Sequence, residues 1–269
     1  MSRKNGPSLR EISSFRRTVL AHFRNNGRKN LPWRKTRDPH AILVSEIMLQ
    51  QTQVDRVIPY FNRWIKKFAT PPALARAKLI DVLREWSGLG YNRRAKFLHD
   101  AAKEIVAKHG SRVPRDLAAL LALPGVGDYT AKAVRIFAYN EPEVLIETNV
   151  RAVFLHHFFP RSKNVPDAKL LPLIEKALNG QVPRIWYAAL MDYGSHLKAQ
   201  NTNPSRRSKH HTKQSKFEGS LRQVRGAILR AYARGEDMAH VRSSNVAQYD
   251  KALTSLVADG LLRTPSDLP

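Results

Sequence analysis

Residues Leu123 to Phe137 read L-P-G-V-G-D-Y-T-A-K-A-V-R-I-F. The alanines and leucines of Asp116–Leu123 predict a tightly packed helix, and small and apolar residues return at helical spacing after Asp128. The stretch is therefore a helix, a four-residue hairpin and a second helix. Gly125 and Gly127 allow backbone angles and close approach that other residues resist. Together with Val126 they leave the amides of the second helix pointing outward, where the helix dipole favours an anion. Such an element can hold a phosphate backbone through main-chain amides, which supplies affinity but no sequence information. For these residues alone, an ordinary αα-hairpin with glycine turns is the alternative.

Upstream, Ala41–Val54 reads A-I-L-V-S-E-I-M-L-Q-Q-T-Q-V, opened by Asp38-Pro39. A capping carboxylate followed by proline at the first helical position is a strong start signal. Ile42, Leu43, Val44, Ile47, Met48 and Leu49 put apolar side chains on nearly every side, so this helix belongs in a core. Glu46 stands among them, and a carboxylate there needs a partner or a use. Gln50, Gln51, Thr52 and Gln53 crowd the end of the helix, giving one acid beside a cluster of amides, which suits a polar heterocycle.

The rest of the chain also reads as helix. Ile12, Phe15, Val19, Leu20 and Phe23 form one stripe, and Val57, Ile58, Phe61, Trp64, Ile65 and Phe68 another. Short helices around Ala73–Ala77 and Asp81–Trp86 precede a glycine turn, S-G-L-G-Y. A basic helix, Asn92–His109, turns Ala95, Leu98, Ala102 and Val106 inward and presents Arg93, Arg94 and Lys96 as a solvated face. Helices are predicted over Val150–Phe159, Pro166–Asn179, Pro183–Leu197, Leu221–Ala233 and Val246–Ala258. Strand signals are weak throughout, so the fold is all-α. The stretch Lys198–Lys216 has almost no apolar residue and reads as an exposed basic connector in which His210-His211 are solvated side chains.

The chain of 269 residues carries 46 Lys and Arg against 22 Asp and Glu, a formal charge of +24. That excess repels itself in a compact state, and a polyanion is the simplest partner that makes it useful. Nucleic acid is the first reading and an anionic membrane surface the weaker one. With no cysteine, disulfides, thiolate-held zinc and cysteine-ligated iron–sulfur clusters are excluded. No apolar run approaches the roughly 20 residues of a membrane span. The N-terminus, M-S-R-K-N-G-P-S, lacks the apolar core of a secretory signal, so an intracellular protein is expected.

Taken together the motifs become specific. L-P-W-R at Leu31–Arg34, S-E-I-M-L-Q-Q-T-Q-V at Ser45–Val54, G-L-G-Y at Gly88–Tyr91, L-P-G-V-G at Leu123–Gly127 and I-E-T-N-V-R at Ile146–Arg151 occur in that order. Over residues 10 to 197 the pattern resembles the helix–hairpin–helix DNA glycosylases, specifically the adenine DNA glycosylase branch. Members of that family turn a nucleotide out of the duplex and hydrolyse its glycosidic bond. The resemblance implies that Glu46 is the catalytic acid and Glu147 the carboxylate stabilising the sugar cation, with Tyr129 and Asn149 orienting them. It places Leu31, Trp33 and Arg34 on the wall of the base pocket. Gln50, Gln51, Thr52 and Tyr91 then contact DNA, with Gln50, Gln51 and Tyr91 entering the stack. The implied lobes are 1–30 with 138–200, and 31–137 as the helical-barrel lobe carrying the hairpin. A basic connector at 201–216 and a small helical, winged-helix-like domain at 217–269 follow.

Lyases of the superfamily such as endonuclease III carry a lysine where this chain has Tyr129, which favours a monofunctional hydrolase. Three departures stand out. Most adenine glycosylases have Asp at the position of Glu147. The four-cysteine loop expected after M-D-Y-G at Met191–Gly194 is replaced by Asn203–Lys216, whose Arg206, Arg207 and Lys209 are assigned to phosphate contacts. Residues 217–269 stand where typical members carry a longer domain that reads 8-oxoguanine opposite the adenine. The implied partner is double-stranded DNA with a mispaired or damaged base, bound by a monomer in the cytoplasm at the nucleoid, with no membrane. No cofactor is implied beyond room for a monovalent cation at the hairpin. Removal of thymine or uracil opposite guanine, or non-catalytic binding of damaged DNA, are the alternatives.

Overall fold

The computed structural model describes residues 6–200, 203–212 and 216–262. In chain order the α-helices are α1 (Leu9–Asn26), α2 (Pro39–Leu49), α3 (Val54–Lys67), α4 (Pro71–Ala75), α5 (Leu79–Trp86), α6 (Arg93–Lys108) and α7 (Leu117–Leu121). They continue with α8 (Asp128–Tyr139), α9 (Thr148–Phe158), α10 (Asp167–Leu178), α11 (Pro183–Ala199), α12 (Leu221–Arg234), α13 (Ala239–Ser243) and α14 (Val246–Ala258). Single 3₁₀ turns lie at Pro32–Arg34 and Pro204–Arg207, and the fold is all-α as the periodicity predicts.

Local chemistry sets the helix starts. At α1 the Ser8 hydroxyl accepts from Glu11 N (3.2 Å) while Glu11 Oε2 accepts from Ser8 N (2.8 Å), a reciprocal capping box. At α2 the Asp38 carboxylate accepts from the amides of His40 (3.1 Å) and Ala41 (3.2 Å), with Pro39 at the first position. At the far end of the chain α12 stops at Gly235, in the left-handed conformation that a helix terminus commonly takes.

The chain divides into two units. The first comprises Met1–Arg37 with Asp128–Lys213, the second Asp38–Gly127 with Gln214–Pro269. Phe15, Val19, Phe154, Trp186 and Tyr187 centre the first core, where Phe15 meets Phe154 and Trp186 edge-on at 5.1 and 5.8 Å between centroids. In the second, Trp64 and Trp86 are fully buried and meet edge-on at 5.3 Å.

These boundaries differ from the expected organisation in three ways. The Pro32–Arg34 turn and all of α8 belong to the first unit, because Arg34 pairs with Asp192 and because Ala133 and Ile136 enter its core. Residues 217–262 do not stand apart as a domain. Helix α12 packs on α5 as well as α14, the Arg84 Nε donates to the Ala233 carbonyl (2.6 Å), and Arg93 pairs with Asp259 (3.3 Å). No strand accompanies α12–α14 among the described residues. Residues 203–212 are likewise built onto the first unit and are not a free connector: Val165 N donates to the Arg207 carbonyl (2.9 Å) and Lys209 N to that of Val165 (3.0 Å). Within the connector, Asn201, Thr202, Lys213, Gln214 and Ser215 lie outside the described residues.

Candidate active site

Every residue of α2 from His40 to Met48 is buried, Glu46 included at 6% exposure. Burying a carboxylate is costly, and Ile42, Leu43, Val44 and Ile47 of the same helix are buried with it. The last carbonyls of α2 have no partner within the helix and its final turn has no basic residue. Their donor comes from α6. The Arg94 guanidinium donates to the carbonyls of Ile47 (2.9 Å), Met48 (2.9 Å), Gln50 (2.6 Å) and Gly90 (3.0 Å), and to the Thr52 hydroxyl (3.1 Å). It lies 5.3 Å from the ring centroids of both Trp86 and Tyr91. Burial brings its pKa down to about 10, which leaves it charged at neutral pH.

Arg94 thus departs from the solvated face expected of it; Arg93 keeps to that face. The reason is helical register: Arg94, Leu98, Ala101, Ala102 and Ile105 form the buried side of α6, while Val106, expected inside, is 38% exposed. What Arg94 joins is the candidate DNA-contacting cluster. Gln51 (φ 55°) and Tyr91 (φ 48°) are both non-glycine residues in the left-handed region, a form of strain that collects at functional sites. In the turn between α5 and Tyr91, Gly88 has φ 94°, and a Cβ there would stand 2.3 Å from the Tyr60 hydroxyl.

The hairpin turn follows α7. Val126 N donates to the Leu123 carbonyl (3.1 Å), and Gly125 has φ 73°. A Cβ on Gly125 would meet Phe97 Cβ at 2.5 Å, so this glycine serves both backbone angle and close packing. Gly127 has nothing within 4 Å of where a Cβ would be, leaving its backbone open to approach. In α8, Tyr129 is half-buried and packs against the core of the first unit, and the Lys132 ammonium pairs with Asp128 (2.9 Å).

Glu147 and Asn149 come together at the start of α9. Glu147 is the N-cap: its Oε1 accepts from the amides of Asn149 and Val150 (both 2.8 Å) and its Oε2 from Asn149 Nδ2 (3.0 Å). Burial pushes this carboxyl up from its ordinary value, and the two amides, Lys198 and Arg151 oppose that only in part. The Asn149 Oδ1 is buried without a hydrogen-bond partner, an orphan of the kind that calls for a functional explanation.

Leu31 and Trp33 are buried in the first unit at 8% and 7% exposure. Arg34 is fixed beside them by the buried Asp192, with Nη1 at 2.6 Å from Oδ2 and Nη2 at 2.9 Å from Oδ1, a two-pronged pair that also engages the Arg28 amide (2.8 Å). Burial pushes the Asp192 carboxyl up, but the guanidinium groups of Arg34 and Arg28 more than offset it and hold the group below the usual range. Gly194 completes the device: a Cβ there would stand 2.4 Å from the Asn149 carbonyl, so glycine lets α11 pass close to α9. The sequence carries no signal for the roles of Asp192 and Gly194, and it presents Arg94 only as part of a solvated face. The D-Y-G run marked the first two only as a landmark for a missing loop.

At the place of the expected four-cysteine loop this chain offers no thiolate. Residues 203–212 form a different structure. Asn203 Oδ1 accepts from the Ser205 amide (3.0 Å) and hydroxyl (2.7 Å), and Pro204, Ser205 and Ser208 are buried. Arg207 donates to the carbonyls of Leu155 (3.0 Å) and Pro160 (2.9 Å), so its guanidinium caps α9, whereas Arg206 and Lys209 are exposed. Among the described residues no group of three or more His, Asp or Glu is placed to hold a metal, and no helix is long and apolar enough to cross a membrane.

Residues 44–176 match the model of the HhH-GPD superfamily base excision DNA repair proteins. The chain is 35% identical to the adenine DNA glycosylase of Mycobacterium tuberculosis (strain CDC 1551 / Oshkosh) over 301 residues, covering 97% of this chain and 94% of that one. Against the adenine DNA glycosylase of Mycolicibacterium smegmatis it is 35% identical over 272 residues, 92% of each chain. A thermostable thymine-DNA glycosylase shares the fold with a TM-score of 0.60 and 28% identity, over 69% of this chain and 87% of that one. An endonuclease III–DNA complex does so with a TM-score of 0.55 at 20% identity, over 79% and 91%. Buried acid, open glycine hairpin and capped carboxylate thus occur in a chain that belongs to the HhH-GPD superfamily of base excision DNA repair proteins and, within it, to the adenine DNA glycosylase family.

Proposed function

We propose that this DNA glycosylase hydrolyses the N-glycosidic bond of a mispaired adenine and cleaves no DNA strand itself. The burial of Glu46 in a helix with no other acid carries the reading. Glu46 in its protonated form donates to the adenine ring as the bond to the sugar breaks, because an unprotonated purine leaves poorly. Glu147 sets negative charge beside the sugar carbon that becomes electron-poor, and its amide partners hold the carboxylate in one orientation. Water then adds to that carbon while the Glu46 carboxylate takes its proton. The orphaned Asn149 Oδ1 is an acceptor available to the substrate or the water. Gln50, Gln51 and Tyr91 fill the space vacated by the base, which offsets the few kcal/mol, roughly, that unstacking costs.

A panel of duplexes carrying adenine opposite guanine, 8-oxoguanine or cytosine, and thymine or uracil opposite guanine, tests the assignment. Alkali after incubation should break only the adenine-containing strands. The likeness to a thymine-DNA glycosylase favours one rival, and cleavage confined to thymine or uracil opposite guanine would establish it. Borohydride added during the reaction should trap no covalent adduct, since Tyr129 supplies no amine and Lys132 is paired with Asp128. An adduct lost in Lys132→Ala would identify that lysine as a nucleophile and overturn the hydrolytic assignment.

The basic stretch yields a separate prediction. Arg206→Ala with Lys209→Ala should weaken binding to matched and mismatched duplexes alike. The dependence of log K on log salt should flatten by about 0.9 for each phosphate that is no longer neutralised. Arg207→Ala should leave that slope unchanged and lower the melting temperature, because its guanidinium is bonded to the end of α9. Affinity across a salt series, with thermal melts of each variant, checks both.

A further inference from the structure

Two cations act on Glu147, and their surroundings differ. Arg151, one turn along α9, has its guanidinium committed to Asp167 of α10, with Nε at 2.8 Å from Oδ1 and Nη2 at 2.6 Å from Oδ2. That two-pronged pair cancels most of the Arg151 charge at a distance. The Lys198 ammonium near the end of α11 has no ion pair or hydrogen bond among the described residues. It is the uncompensated cation of the two.

Lys198 reaches this carboxylate because of Gly194. A Cβ on Gly194 would stand 2.4 Å from the Asn149 carbonyl, so glycine brings α11 against the first turn of α9. Lys198 follows four residues later, on the same face of α11 and one turn further along. Leu197 beside it is buried in the core of the first unit, which fixes the register of that turn. Lys198 itself is half-buried, and a partly buried charge is screened less than an exposed one.

The three hydrogen bonds that Glu147 accepts all come from neutral donors of Asn149 and Val150. Burial disfavours the ionised carboxyl most, the two amides oppose burial, and Lys198 then acts more strongly than Arg151. The charged groups around Glu147 are therefore Arg151 from α9, Lys198 from α11 and, behind Arg151, Asp167 from α10. His210 of the 203–212 stretch acts on Asp167 in turn. We propose that Lys198 is a positioning residue of the reaction, whose ammonium keeps Glu147 ionised while the sugar cation forms. The inference rests on the role proposed above for Glu147 and adds the counter-charge, carried by a different helix. A carboxylate stabilises an electron-poor sugar carbon, whereas a neutral carboxyl does not.

The sign of the expected effect follows. Removing a cation disfavours the carboxylate, so the titration of Glu147 moves to higher pH. Excision requires Glu147 without its proton and Glu46 with one, which gives a bell-shaped profile; loss of Lys198 narrows the bell from the acid side only. The test is single-turnover excision by the full chain in excess over an adenine–guanine duplex, from about pH 5 to about pH 9. In Lys198→Met the acid limb should move up by about one pH unit, a rate about tenfold lower along that limb. The alkaline limb should stay in place. Lys198→Gln should match Lys198→Met, and Lys198→Arg should restore the wild-type profile.

An acid limb unmoved in both neutral variants would overturn the proposal. So would a loss of equal size at every pH that Lys198→Arg does not relieve, since a structural role would produce that pattern. An unchanged profile with weaker binding and a salt slope flatter by about 0.9 would make Lys198 a phosphate contact instead. Glu147→Gln separates this inference from the reading beneath it. Wild-type rates in Glu147→Gln would remove Glu147 from the chemistry. An inactive Glu147→Gln beside an unmoved limb in Lys198→Met would remove Lys198 alone.

Discussion

Glu46→Gln should abolish base excision while leaving duplex affinity within a few-fold of wild type. The amide matches the carboxyl in shape but cannot deliver the proton, and a positioned general acid is worth about 10²–10⁴-fold. Glu46 is 6% exposed with apolar neighbours along α2, so no water can readily take over the task. Single-turnover rates on an adenine mispair, with affinity measured on the same duplex, check this. A rate within tenfold of wild type would remove Glu46 from the chemistry, and loss of binding in step with rate would assign it to the architecture of α2.

Arg94→Met has the largest expected effect on stability. One guanidinium serves the carbonyls of Ile47, Met48, Gln50 and Gly90 and the hydroxyl of Thr52. Methionine fills similar volume but strands those acceptors in a buried place. Each buried acceptor left unsatisfied costs about 1–3 kcal/mol, offset in part because no charge is then buried; a net loss of about 3–5 kcal/mol lowers the melting temperature of a chain of this size by about 6–20 °C. Arg94→Lys should recover only part of the loss, because an ammonium cannot reach five acceptors from one planar fork. Excision should fall in both variants by more than the unfolded fraction explains, since the end of α2 carries Gln50–Thr52. A melt of Arg94→Met within 2 °C, roughly, of wild type would show that α2 is held by other means.

The sequence by itself determined the helical class, the order of the helices and the chemistry on offer. Those features depend on neighbours in the chain: apolar spacing along α2 and α3, the Asp38-Pro39 start, the Ser8–Glu11 box and the glycines of the hairpin. The lack of cysteine ruled out a thiolate-held cluster without any coordinates. The tertiary structure decided which charges are structural and which are free to act. Arg94 meets Ile47 across 47 residues of sequence, and Arg34 meets Asp192 across 158. No local pattern encodes such a pairing, because a guanidinium on a helix reads the same whether its face is wet or buried. For the same reason Arg207, read as a phosphate contact, became a helix cap. The tail shows the difference most clearly. Its periodicity announced helices α12 and α14 but not what they would cover, and only their packing on α5 brought Phe217, Arg222 and Arg230 to a cleft beside Tyr91.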